Sequence, residues 1–361
     1  MSMPRVLLGM SGGVDSSVAA ILLKEQGYEV IGYTFRVYDS VSEDCMKKQK
    51  GCCTVESIYE ARDIAEKMGI EHHIIDLRTY FKETVIDHFI RSYLDGNTPN
   101  PCSECNRYIK WGKVFEKAKE MNCEFVATGH YARVMQNETG FFLSQGKDED
   151  KDQTYFLWQI PRSHLSKTLF PLGELTKSEV REIALKHGFE KVAKKADSQE
   201  ICFIPDNDYR RFLTENTDVL PGPGNFLSVD GRVLGQHKGY PFYTIGQRKG
   251  LEIALGERMF VTRINPETNE VTIGQQGDLK SSGMWVRNFN PGKYVQLTSG
   301  QKFDVKVRYR SSRIPATIME VNEEILVHFD LPVDSVTPGQ SAVFYQGDDL
   351  VGGGVIVKSI E

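Results

Sequence analysis

The 361-residue chain has no apolar run long enough to cross a bilayer, which excludes a helical membrane protein. It has no cleavage-site pattern near its start either. Met1-Ser2-Met3-Pro4-Arg5 leads straight into Val6-Leu7-Leu8, which reads as a first strand rather than a signal peptide. There is no excess of positive charge. The formal net charge is −5, so an RNA partner has to be met by a local basic patch. The seven cysteines are odd in number and unevenly spaced, which does not suit a secreted disulfide framework. A reducing cytoplasm is the expected setting, where Cys102-x-x-Cys105 means redox chemistry or metal binding. Repeats and low-complexity tracts are absent.

The chain is too long for one core, so two or three domains are expected. Over the first two hundred residues, short apolar runs alternate with helical patterns, the signature of a parallel α/β sheet. Strands are expected at Val6–Met10, Glu29–Phe35, His73–Leu77 and Phe125–Thr128. A helix from about Ser16 to Gln26 stops at Gly27, and a second opens at Thr54 and stops near Gly69. Thr176 with Glu179 forms a capping box for a third. After Pro205 the helical period fades and Gly and Pro become dense. Phe303, Val305, Val307 and Tyr309 then alternate with Lys302, Asp304, Lys306 and Arg308, as in a half-buried strand. The pattern after residue 279 fits a small antiparallel barrel or sandwich, and the expected fold is an α/β N-terminal domain over 1–205, a small mixed domain over 206–278 and a C-terminal β-barrel over 279–361.

Ser11-Gly12-Gly13-Val14-Asp15-Ser16-Ser17 follows the first strand and opens the first helix. Glycines let backbone N–H groups approach phosphate oxygens, serines add donors, and the helix start adds a favourable dipole. The lysine of a GxxxxGK[ST] loop is missing. A loop of Gly, Ser and Asp without it suits an enzyme that splits ATP between its α and β phosphates and releases pyrophosphate.

The same segment resembles the loop of the PP-loop, or adenine-nucleotide α-hydrolase, superfamily. Within it the chain closely resembles the tRNA-specific 2-thiouridylases over nearly its whole length. The matching stretches, in order, are Gly9 to Ser17, Thr98 to Pro101, Cys105-Asn106, Ala127 to Arg133, Lys151 to Leu157, Asp197 to Ile204 and Thr244 to Leu251. The resemblance implies a parallel-sheet PP-loop domain and ATP held by Gly9, Met10, Ser11, Gly12, Gly13, Val14, Asp15 and Ser16. Phe35 and Gly129 would close around the adenosine, although Phe35 reads equally well as a core aromatic. Asp15 would act on the phosphates through Mg²⁺, the favoured reading, or through hydrogen bonds to the loop.

In the mechanism this family implies, ATP adenylates the 2-oxygen of a tRNA wobble uridine. A persulfide on Cys202 then delivers sulfur to the activated carbon, and Cys105 serves as nucleophile or resolving thiol; a disulfide bond belongs to the family's features. Read by itself, Cys202 lies in the apolar run Ile201 to Ile204, where an inert thiol is the default. Positions implied to touch tRNA are Asn100, Pro101, Cys102, His130, Lys151, Asp152, Gln153, Arg308, Tyr309 and Gln340. Arg310 and Arg313 extend the Arg308 patch, and Lys238, Arg248 and Lys249 form a second. A cysteine desulfurase or sulfur-carrier protein would supply the sulfur, with no membrane involved.

One departure stands out, since many family members carry Asp where this chain has Cys102. Related tRNA thiolases with a CxxC and a third cysteine hold a [4Fe–4S] cluster, which makes Cys102, Cys105 and Cys202 a candidate ligand set. Cys45, Cys52, Cys53 and Cys123 carry no assigned chemistry. Two rivals remain. A PP-loop synthetase would share the loop but has no use for the cysteines. A tRNA-binding protein with a degenerate nucleotide site would not keep both loop and cysteines.

Overall fold

The computed structural model describes residues 3–38, 55–195, 201–253 and 256–361. Cys45, Cys52, Cys53 and Thr54 therefore lie outside the described residues, as does the matched stretch from Asp197 to Glu200. Contacts group the chain into two units. The first is Met1–Ile86 with Pro101–Asp208 and Asp348–Leu350; the second is Asp87–Asn100 with Tyr209–Gly347 and Val351–Glu361. Among the described residues, no helix is long and apolar enough to cross a membrane.

In the first unit, Val6, Leu7 and Leu8 are all fully buried, as in a strand covered on both faces. That strand, β1 (Arg5–Gly9), is followed by α1 (Val14–Glu25), β2 (Glu29–Arg36), α2 (Val55–Lys67) and β3 (Glu71–Asp76). After them come α3 (Val114–Glu120), β4 (Phe125–Ala127), the hairpin β5 (Ala132–Asn137) and β6 (Gly140–Gln145), β7 (Thr168–Leu169) and α4 (Lys177–Lys186). Five strands form one sheet in the order β3-β2-β1-β4-β7, and the pairs are parallel. Successive side chains of β1 point to opposite faces. Val6 and Leu8 pack with Val18 of α1, Ala65 of α2 and Val180 of α4, while Leu7 packs with Val114 and Ala118 of α3. Helices thus cover both faces.

The strand order reverses at β1, with β2 on one side and β4 on the other. The carboxyl ends of β1 and β4 therefore open the crevice where doubly wound sheets bind ligands. The sequence places its phosphate loop after β1 and its Gly129-His130 pair after β4, so both motifs arrive there. Gly27 and Gly69, at φ +85° and +63°, take the left-handed conformation that closes α1 and α2.

In the second unit, helices Asp87–Leu94 and Tyr209–Asn216 pack through a stacked Tyr93–Tyr209 pair at 4.8 Å and an edge-on Phe89–Phe212 pair at 5.9 Å. A small mixed sheet of β8 (Gly224–Ser228), β9 (Val233–His237), β10 (Phe260–Asn265) and β11 (Glu270–Gly274) surrounds a core of Phe226, Val261, Val271 and Ile273. The last six strands are β12 (Lys280–Pro291), β13 (Lys302–Lys306), β14 (Ile314–Val321), β15 (Glu324–Asp334), β16 (Ser341–Gln346) and β17 (Asp349–Ile360). They run in the order β12-β15-β14-β13-β16-β17, and β17 pairs back to β12. The expected barrel is therefore closed and has six strands. Phe303, Val305 and Val307 face its core, as their alternation requires.

Candidate active site

The phosphate loop is built by close approach. Met10 N–H donates to the Tyr33 carbonyl at 2.8 Å, and the Thr34 hydroxyl donates to the Met10 carbonyl at 2.6 Å, which ties the end of β1 to β2. Gly12 sits at φ +69°, and a Cβ there would lie 2.8 Å from the Ser57 carbonyl oxygen. Only glycine meets both demands. Gly13 is the N-cap of α1, and no side chain caps it. The first-turn amides of Val14, Asp15 and Ser16 cannot be satisfied within a helix, so this turn is suited to anionic oxygens. Ser16 Oγ accepts from Ser11 N–H at 3.1 Å, and Ser17 Oγ donates to the Gly13 carbonyl at 2.9 Å. These bonds fix the loop's curvature.

Gly129 closes the loop from the β4 side. A Cβ at this position would stand 2.8 Å from the Asp15 carbonyl carbon and 2.9 Å from the Ser16 nitrogen. Its backbone therefore rests directly on the first turn of α1. His130 is held at both ring nitrogens, by Thr128 Oγ1 at 2.7 Å and Lys110 Nζ at 3.3 Å. Burial holds its pKa well below the ordinary histidine value, and Lys110 adds to the effect. A neutral ring accepts from the Lys110 ammonium at Nε2 and donates from Nδ1 to Thr128. His130 is thus a fixed, uncharged part of the wall.

Asp15 is held by side chains from outside the loop. Lys177 Nζ lies 2.8 Å from each of its carboxylate oxygens, and the buried Tyr131 hydroxyl donates to Oδ1 at 2.8 Å. The favoured Mg²⁺ role does not fit this arrangement, because both oxygens already face an ammonium. The amino-acid sequence alone assigns no role to Lys177 or Tyr131. Tyr131 lies inside the matched Ala127 to Arg133 stretch, and Lys177 directly follows the Thr176 cap, so both had a local signal.

Cys105 opens a π-helix, Cys105–Lys113, after the short helix Pro101–Glu104. Such wide turns gather at functional sites. Asn106 Nδ2 donates to the Phe156 carbonyl at 2.8 Å and Trp111 Nε1 to Thr168 Oγ1 at 2.9 Å, which anchors the segment. The Tyr33 hydroxyl is buried, has no hydrogen-bond partner among the described residues, and lies against Gly9. Burial pushes its pKa up, and negative charge on Cys105 pushes the same way. Phe35 is half-buried and tilts against Tyr33 with centroids 4.7 Å apart.

Cys202 is half-buried ahead of buried Phe203 and Ile204, and Phe203 meets Phe81 edge-on at 5.7 Å. Cys102 is exposed and Cys123 half-buried. Among the described residues, no three His, Cys, Asp or Glu side chains converge on a metal position. The Cys102, Cys105 and Cys202 set therefore does not fit the [4Fe–4S] cluster expected as a candidate, because a cluster needs three thiolates around one centre.

The residues matched to tRNA contact differ in kind. Asp152 is buried and accepts from Thr154 N–H, Thr154 Oγ1 and Gln145 Nε2, and Gln153 Oε1 accepts from Tyr131 N–H at 3.0 Å. These two side chains hold the segment behind Tyr131. Lys151 is half-buried. In the second unit, Gln340 Nε2 donates to the Thr98 and Pro99 carbonyls at 3.0 Å, and Asn100 Nδ2 to Ser341 Oγ at 3.2 Å. Arg308 is exposed and donates to the Asp334 carbonyl at 3.1 Å; Lys306 lies 5.7 Å over the Tyr309 ring. Arg310, Lys238, Arg248 and Lys249 are exposed as well.

Comparison with known proteins matches this architecture. Family models described as tRNA methyl transferase HUP domain, tRNA methyl transferase PRC-barrel domain and aminomethyltransferase beta-barrel domain match residues 4–206, 210–275 and 281–356. The tRNA-specific 2-thiouridylase MnmA of Cytophaga hutchinsonii is 49% identical, over 99% of this chain and 98% of the relative. That of Amoebophilus asiaticus is 47% identical, over 100% and 97%. Among solved structures, a 4-thiouridine synthetase–RNA complex with bound ATP aligns over 59% of this chain and 50% of that chain, at 19% identity and TM-score 0.37. On the strength of its full-length relatives and its matched domains, the chain belongs to the tRNA-specific 2-thiouridylase family.

Proposed function

We propose that the protein converts a tRNA uridine to 2-thiouridine in two stages at one crevice. ATP binds along Gly9 to Ser16, with Gly129 and Phe35 beside the adenosine. The uridine 2-oxygen attacks the α-phosphorus, an O–P bond forms, and pyrophosphate leaves. The carbon now bears AMP, a good leaving group. The terminal sulfur of a Cys202 persulfide attacks that carbon and expels AMP, leaving the base joined to Cys202 through a disulfide. The Cys105 thiolate then attacks Cys202 Sγ, which frees the thiolated base and forms a Cys105–Cys202 disulfide. An external dithiol reduces that bond, and a cysteine desulfurase or sulfur-carrier protein restores the persulfide.

The observation that carries this reading is the loop at the end of β1: Gly12 and Gly129 leave no room for a side chain, and no side chain caps the start of α1, so its first-turn amides are open to phosphate oxygens. Mg²⁺ enters as a counter-ion of ATP rather than as a ligand of Asp15. The target base reaches the crevice flipped from its stack. In the first unit Pro101, Cys102, His130 and Lys151 line its approach and Asp152 and Gln153 hold the segment behind Tyr131; in the second unit Asn100 and Gln340 contact the tRNA, and Arg308 and Tyr309 with Arg310 bind phosphates and ribose. Catalysis, tRNA docking and barrel contacts are divided among 1–205, 206–278 and 279–361, and the reaction belongs to the cytoplasm.

The test is to incubate the pure protein with unmodified tRNA, ATP and a sulfur donor, then digest the tRNA and measure 2-thiouridine. The product is expected with the wild type and lost in Cys105→Ser and Cys202→Ser, while Cys102→Ser keeps most of it. Equal loss in all three variants contradicts the division of roles.

A further inference from the structure

The loop's own sequence has no lysine, yet an ammonium reaches it from 162 positions downstream. Lys177 Nζ spans both oxygens of Asp15, and its side chain is only 11% exposed. The placement is built rather than incidental. Thr176 caps α4 in a full capping box with Glu179, which fixes the first turn from which Lys177 projects. Lys177 N–H donates to Asp148 Oδ2 at 2.8 Å, and Lys147 pairs with Glu179 at 2.8 Å. Tyr131 adds its hydroxyl to Asp15, and its ring lies 5.7 Å from the Lys177 ammonium.

A carboxylate in the first turn of a helix suits the helix dipole, but it opposes an incoming triphosphate. Either a divalent cation or a fixed side-chain cation has to offset that repulsion. Here the fixed cation is in place and holds both carboxylate oxygens. We propose that Lys177 is a positioning residue that neutralises Asp15, so that the loop accepts the phosphates of ATP without a divalent ion bound to Asp15. This inference rests on the reading of the loop as the ATP site. Lys177 acts through Asp15 and the loop; it is not assigned a bond to the reacting atoms.

The experiment measures ATP affinity by calorimetry, in excess EDTA and in millimolar Mg²⁺, for the wild type, Lys177→Met, Lys177→Arg, Asp15→Asn and the double variant Asp15→Asn/Lys177→Met. The wild type is expected to bind ATP in EDTA. Lys177→Met should lose at least about tenfold there but no more than about threefold in Mg²⁺, because Mg²⁺ on the nucleotide takes over the offset. Lys177→Arg should keep most of the metal-free affinity. The double variant should recover it, since no uncompensated charge remains, and recovery also shows that the loop has folded. Equal losses of Lys177→Met in EDTA and Mg²⁺, or no recovery in the double variant, overturn the inference. So does a wild type that binds ATP only with Mg²⁺. A wild type that binds ATP under neither condition overturns the reading of the loop itself.

Discussion

The phosphate loop and the basic turn after β13 are both polar segments at strand ends, and they are built in opposite ways. In the loop, Ser16 and Ser17 are buried and hydrogen-bonded, Asp15 is held by Lys177 and Tyr131, and Gly12 and Gly129 leave no room for a methyl group. In the turn, Arg308 and Arg310 are exposed, and Arg308 takes a single backbone carbonyl. The loop works through fixed positions, so one displaced atom costs most of its function. On the proposed reading the turn acts through charge, which adds up residue by residue and is screened by salt. Conservative changes should therefore be severe in the first region and graded in the second.

The sharpest way to break the comparison is Gly129→Ala. Its methyl would meet the backbone of Asp15 and Ser16, so the first turn of α1 must shift, and AMP formation should fall about 10²-fold. A thermal melt close to the wild type would assign the loss to the site rather than to folding. Next comes Gly12→Ala, which forces a Cβ against the Ser57 carbonyl at positive φ. Denaturant unfolding should show about 1–3 kcal/mol of destabilisation.

A smaller effect concerns pH. The folded pKa of His130 lies below its unfolded value, so the unfolded chain takes up the proton first. Stability should hold at pH 7.5 and fall as pH drops through about 6.5. His130→Gln should flatten that slope in denaturant titrations at pH 7.5 and 5.5. Smallest of all, Arg308→Ala should reduce the salt dependence of tRNA binding by about one unit in the log–log slope and leave stability within about 0.5 kcal/mol. If Arg308→Ala were as damaging as Gly129→Ala, the contrast between fixed geometry and additive charge would be lost.

The same contrast explains what could be read from the amino-acid order. The strand–loop–helix of residues 5–25, the glycine stops at 27 and 69 and the Thr176 capping box depend on neighbours within a few positions, and they appear as expected. The alternation at Phe303 to Val307 was legible for the same reason. What escaped depends on distant partners. Asp15 meets Lys177 only because α1 and α4 cover the same face of the sheet. The barrel itself was expected, but the pairing that closes it, between β17 at the end of the chain and β12, has no local signature. The hairpin β5–β6 and the wide turns from Cys105 to Lys113 carry no strong local signature either. At Cys202 the apolar run foretold burial, and Phe203 and Ile204 are buried, but the thiol itself is only half covered.

The central claim is that ATP activates the tRNA before sulfur reaches it. The Cys105→Ser/Cys202→Ser double variant isolates that step. Incubated with unmodified tRNA and ATP labelled at the α-phosphorus, it should leave label attached to the tRNA and release unlabelled pyrophosphate. Gly129→Ala in the same background should abolish the labelling. An unlabelled tRNA, or 2-thiouridine formed by the wild type without ATP, would contradict the account.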